Sequence, residues 1–109
     1  MNLLTQPIAI QGVGCIGGFG RGAAAFVEAM QRGTTAPQYR DDLHGDGSAY
    51  FPAFLATTDG LDDYVPKRAL RRLDHYSRLA LLGGCLALDD AGISADQRDR
   101  IGVIVASGY

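Results

Sequence analysis

No run of apolar residues in the chain comes near the ~20 that a membrane-spanning helix requires. The opening Met1-Asn2-Leu3-Leu4 lacks the cationic and apolar regions of an export signal. Both absences predict a cytoplasmic protein with no membrane partner. Charge of one sign is lacking as well. Ten Lys and Arg against twelve Asp and Glu leave a net charge of −2, so no global field draws nucleic acid, and an electrostatic partner has to be met by a local patch. Cysteine is scarce. Cys15 and Cys85, far apart in a chain without an export signal, read as free thiols rather than a disulfide framework. What the sequence does have is apolar residues, 47% against 20% charged, and 15 glycines in 109 residues. That composition is globular and excludes wholesale disorder. For so short a chain, its apolar residues are concentrated in segments that read as fully buried.

The first of these is Ile8-Ala9-Ile10-Gln11-Gly12-Val13-Gly14, a β-branched run followed by a glycine cluster through Gly20. It predicts a buried strand leaving through a tight turn. Ala23, Phe26, Val27 and Met30 then follow helical spacing, and Gly33 stands where a left-handed stop belongs. Residues 34–66 hold every proline but Pro7, together with six Asp against one Arg. They predict a long irregular excursion, with at most a short strand near Tyr50–Leu55 and a helical turn near Leu61–Tyr64. Lys67 to Ala91 reads on a helical wheel as one helix. Leu70, Leu73, Ser77, Leu81, Gly84 and Leu88 share a face opposite Arg68, Arg71, Arg72 and His75, and beyond Arg78 the back turns apolar with Leu79, Leu82 and Leu86. The helix should therefore begin as a basic amphipath and end inside a core. Gly92 with Ile93 predicts its C-terminal cap, and Ser94-Ala95-Asp96-Gln97 matches a capping box opening one short turn. Ile101-Gly102-Val103-Ile104-Val105-Ala106-Ser107 carries the pattern of a central parallel strand buried on both faces.

Several candidate sites are weighed against plainer readings. Gly12-Val13-Gly14-Cys15-Ile16-Gly17 fits G-x-G-x-x-G. The acidic residue that would hold a ribose falls at Asp41 or Asp42, after Gln38-Tyr39-Arg40, with no strand expected before it. The favoured reading is glycines for a tight turn and close helix packing, with no cofactor. No Lys-Ser or Lys-Thr follows the glycines, which excludes a P-loop. Cys15 on the turn entering a helix could be a thiolate nucleophile, but the plainer reading for it and for Cys85 is a small buried filler. His44 and His75 have no ligand-like spacing, so no metal site is expected. The pairs Asp41/Asp42, Asp62/Asp63 and Asp89/Asp90 are adjacent in sequence and read as solvated loop or helix-end residues. Lys67, Arg68, Arg71 and Arg72 stand against the overall acidity, packed into six residues. They form either a solvated face or a docking patch for an anionic partner. With no aromatic interleaved among them, they do not suit nucleic acid.

In this order the elements resemble the N-terminal part of β-ketoacyl synthases, condensing enzymes with the thiolase fold. The resemblance rests on Ile8–Gly14 with Gly20, the Phe26, Met30 and Gly33 helix end, and Leu70-Arg71-Arg72-Leu73-Asp74 leading to Leu79-Ala80-Leu81. It continues in Ala87-Leu88-Asp89-Asp90-Ala91-Gly92-Ile93 and Arg100-Ile101-Gly102-Val103-Ile104-Val105-Ala106-Ser107-Gly108. Two departures stand out. Gly17-Gly18-Phe19-Gly20 replaces the family's usual Ser-Pro before the helix, which implies a differently aimed approach. His75 stands where Arg is common, making the basic face pH-sensitive.

The resemblance implies an α/β fold class. Residues 1–109 would form the N-terminal part of a layered thiolase-like domain, with the 34–66 excursion inside it, incomplete alone. It implies decarboxylative Claisen condensation in fatty acid or polyketide synthesis. An acyl chain on a cysteine is attacked by the enolate of malonyl carried on acyl carrier protein. The family's catalytic cysteine and its His or Asn partners lie downstream of the matched region, so no catalytic residue is expected here. Lys67, Arg68, Arg71 and Arg72 fall on the stretch that resembles the carrier-protein docking patch. The implied partners are acyl carrier protein, the remainder of the synthase fold or a second polypeptide, and a second copy in a homodimer. The rival readings are a non-enzymatic structural partner or pseudo-enzyme subunit, and a small nucleotide-binding β-loop-α domain.

Overall fold

Helix-forming residues with an Ala-rich start build α1, Ala23–Arg32, which ends at Gly33 in the left-handed conformation with φ 61°. The stop is where the glycine predicted it. In the computed structural model, residues 5–33, 37–40 and 51–108 are described. Before α1, the glycine cluster folds as a tight antiparallel hairpin of β1, Ile16–Gly17, and β2, Gly20–Arg21. Gly20 and Gly22 take φ values of 116° and 93°, open only to glycine without strain. The chain therefore enters α1 through a hairpin, and Gly22 offers that helix no side-chain cap.

The excursion contains one pairing that the sequence reading excluded. β3, Gln38–Arg40, pairs antiparallel with β4, Phe51–Ala53, in the register Tyr39↔Pro52. The β4 strand and a 3-10 turn at Leu61–Asp63 fall where they were predicted. β3 was missed because its three residues carry no alternation of their own and acquire a ladder only through β4. Pro52, which has no N–H to donate, is tolerated in a two-stranded ribbon where one backbone edge is unpaired. Asp41, Asp42 and His44 lie outside the described residues.

The long helix read from Lys67 to Ala91 is two helices. α2 spans Lys67–Leu70 and α3 spans His75–Ala91. Asp74 causes the break. In extended conformation, its carboxylate accepts the Ser77 backbone N–H at 2.7 Å and opens a new helix. At the other end Gly92 adopts φ 69°, its N–H reaching the Asp89 carbonyl while the Ile93 N–H reaches that of Leu88. This is the paired cap that Gly92 and Ile93 predicted. Ser94 does precede a short 3-10 turn, Ala95–Arg100, but its hydroxyl donates to Asp96 and Gln97 instead of accepting a backbone N–H. The capping box is therefore not formed.

The core gathers where the 3-10 turn, α2 and α3 meet. Leu61, Leu70, Leu82 and Cys85 are the buried apolar residues among those described. Ile16, Tyr64, Val65, Leu73, Leu81 and Leu86 pack against this cluster. The buried side of α3 is thus set by Leu82 and Cys85, while Gly84, read as inward, is exposed. Two predicted buried strands are not found. Residues 8–14 and 101–107 form no ladder with any described segment, and Ile8 and Ile104 are 90% and 100% exposed. A strand buried on both faces needs hydrogen-bonded neighbours and covering layers, and the described residues supply neither.

Candidate functional site

Gly12 and Gly14 bring the extended segment 11–14 against the last turns of α3. A Cβ on Gly12 would lie 2.5 Å from the Ala87 carbonyl oxygen, and one on Gly14 would lie 2.7 Å from the Ala87 nitrogen. The same approach is tied by Val13 N–H to Asp90 Oδ2 at 2.9 Å and by Gln11 Nε2 to the Ala91 carbonyl at 3.1 Å. These glycines face a helix flank and not the N-terminus of the helix that follows, so the G-x-G-x-x-G spacing is a packing device. The closely packed helix is α3, far on in sequence, which the motif could not reveal.

Cys15 is half-buried and Cys85 buried, both as free thiols. Burial pushes the Cys85 thiol up from its ordinary range. The β1–β2 hairpin folds back so that Cys15 lies beside the entry to α1, its carbonyl accepting the N–H of Gly22, the residue that opens the helix, at 2.8 Å. The adjacent carboxylates Asp89 and Asp90 diverge, but neither is merely solvated. Asp90 holds Val13, and Asp89 Oδ2 accepts the Tyr64 hydroxyl at 2.5 Å. That hydrogen bond, aided by partial desolvation and the carboxylate charge, raises the Tyr64 phenol above its usual range.

The four basic residues are all exposed, though not on one helix, and of the four Lys67 and Arg71 line a common cavity. Lys67 and Arg68 belong to α2, while Arg71 and Arg72 lie in the turn that follows. Lys67 Nζ stands 3.7 Å from Asp62 Oδ2, and Arg68, Arg71 and Arg72 form no ion pair with any described residue. That cavity, of about 460 Å³, is lined by Asp59, Asp62, Lys67, Leu70, Arg71 and Arg78. Asp59 in its lining is tied by Arg21, whose Nη1 donates to the Asp59 carbonyl at 2.7 Å. His75 opens α3 and is exposed.

Sequence reasoning missed Arg78. Its Nη2 donates to the Leu70 carbonyl at 2.7 Å and its Nε to the Leu73 carbonyl at 3.1 Å. The available signal was an Arg four residues after an Asp that can cap, a pattern of two helices rather than one.

A mixed α/β chain with a cationic stretch on a broken helix and tightly packed glycines is the class these features define. The family model described as Beta-ketoacyl synthase, N-terminal domain, matches residues 5–109. The chain belongs to the β-ketoacyl synthase family. It is similar to Nodulation protein E of Rhizobium sp. (strain N33), at 31% identity over 109 residues covering 96% of this chain. It spans 26% of the length of that relative. No solved structure matches the chain.

Proposed function

We propose that the chain is the N-terminal segment of a β-ketoacyl synthase of layered thiolase-like fold, and that Lys67, Arg68, Arg71 and Arg72 are its docking face for acyl carrier protein. The observation that carries this reading is the family match over residues 5–109 together with four exposed cations within six residues of a net-negative chain. In the family's reaction an acyl group passes to an active-site cysteine. Loss of carbon dioxide from a carrier-bound malonyl thioester then generates the enolate that attacks it. Neither cysteine here suits that nucleophile. Cys85 sits in the core with its thiol pushed up, and Cys15 falls far upstream of the stretch where the family's nucleophile is expected. The segment's own part is scaffold and encounter, with the catalytic cysteine and its His or Asn partners contributed from downstream, in a cytoplasmic homodimer.

The docking face works by charge and position. Individually an exposed ion pair is worth ~0–1 kcal/mol, but several cations on one face steer an acidic partner into register and speed its encounter. In the complete protein, residues 8–14 and 101–107 become strands of that layered fold once neighbours that the described residues do not supply pair with and cover them. In the complete protein, Arg68→Glu combined with Arg72→Glu weakens affinity for acyl carrier protein about tenfold at low salt, and the difference shrinks as ionic strength rises. Titration calorimetry at two salt concentrations measures this, and unchanged affinity at low salt would sink the reading.

A further inference from the structure

The last carbonyls of a helix have no intrahelical partner, and α2 ends inside the most basic stretch of the chain. There the Leu70 carbonyl accepts the Leu73 N–H at 3.1 Å and Arg78 Nη2 at 2.7 Å. The Leu73 carbonyl accepts Arg78 Nε at 3.1 Å. Arg78 therefore reaches back from the first turn of α3 to the Leu70 and Leu73 carbonyls, which flank Arg71 and Arg72 in the connection between the two helices. Asp74 ties the same connection from the other side by accepting the Ser77 N–H. Arg78 is half-buried, unlike the four exposed cations, and lines the cavity that Lys67 and Arg71 also line. Its planar fork satisfies two carbonyls in fixed directions, which an ammonium group cannot reproduce.

We propose that Arg78 is a positioning residue for the docking face: by clamping the Leu70 and Leu73 carbonyls it holds Arg71 and Arg72 in register with Lys67 and Arg68 for an acidic carrier protein. The inference rests on the docking reading and deepens it. Without the clamp, the connection loses two backbone anchors, and the placement of Arg71 and Arg72 relative to α2 is no longer fixed. Arg78 touches no reacting atom, so its removal acts on encounter with the carrier and leaves the chemical step alone.

In the complete protein, Arg78→Met raises KM for the carrier-bound acyl substrate about tenfold with kcat held, while turnover of a short acyl thioester lacking the carrier moves by less than about twofold. A merely structural role would lower both reactions together. Equal loss of both, or no change in KM, overturns the proposal. Should Arg78→Met fail to fold, Arg78→Lys keeps the charge but spans only one carbonyl, and a KM several-fold above wild type is expected with the melting temperature retained. A wild-type KM in that variant overturns the proposal equally. The Arg68→Glu, Arg72→Glu variant is assayed alongside. If it raises KM and the Arg78 variants do not, the positioning role alone fails. If it leaves KM unmoved, the docking reading fails and this proposal with it.

Discussion

At the scale of single residues, Asp74 decides more than its exposed position suggests. Hydrogen bonds from the Ser77 backbone and side chain hold its carboxyl below the usual carboxylate range. A carboxylate whose folded pKa is depressed contributes stability that is present above its unfolded value of ~3.9 and is lost as pH falls through the folded value. Thermal unfolding of the full chain across the acid range therefore shows a fall in melting temperature below about pH 4 that is shallower in Asp74→Ala. The same variant melts on the order of 5 °C lower at neutral pH, where the cap is intact in the parent. Parallel acid limbs in the two proteins would rule the cap out as their source. Asp74 and Ser77 are three residues apart and legible in sequence as a capping pair, yet the continuous apolar spacing from Leu70 to Leu88 overrode them. Wheel periodicity reports which residues could share a face, and a cap reports where the wheel starts. Here the cap governs.

Among elements, α3 is the one against which the others are placed. The 3-10 turn at Leu61–Asp63 and α2 pack onto it through Leu61, Leu70 and Leu82, and segment 11–14 lies along its end through two glycines. Leu82 is fully buried, so Leu82→Ala costs about 2–5 kcal/mol by the lost transfer energy and the cavity left behind. Chemical denaturation of the full chain measures this, and a cost under about 1 kcal/mol would mean the site collapses around the gap. The apolar stripe of α1 is less used. Phe26 meets Phe19 edge to face at 5.2 Å, but Met30 is 70% exposed. Periodicity correctly identified α1, its stripe and its glycine stop, all consequences of interactions within four residues. What that stripe packs against is a long-range matter, and the local pattern carries no trace of it.

For the whole molecule, the accessible surface is 8864 Å², against roughly 5,800 Å² for a compact protein of this mass. Its radius of gyration is 17.4 Å, where about 13 Å is usual for the length. Among the described residues, the apolar runs 8–14 and 101–107 are largely exposed. As internal strands of the layered fold proposed above, their amides resist hydrogen exchange in the complete protein as strongly as those of α3, and rapid exchange at Val103, Ile104 and Val105 would contradict that placement. The sequence by itself determined the family, the helix stops at Gly33 and Gly92, the β4 strand, the turn at Leu61, and which segments are apolar enough to demand cover. Each of these follows from backbone preference or composition within a few residues. Only the tertiary structure decided that the basic stretch is split by a cap, that Gly12 and Gly14 serve the sequence-distant α3, and that Arg78 clamps the turn bearing Arg71 and Arg72. Those outcomes depend on which surfaces meet across the fold, and hydrogen bonds between distant residues leave no period in the chain.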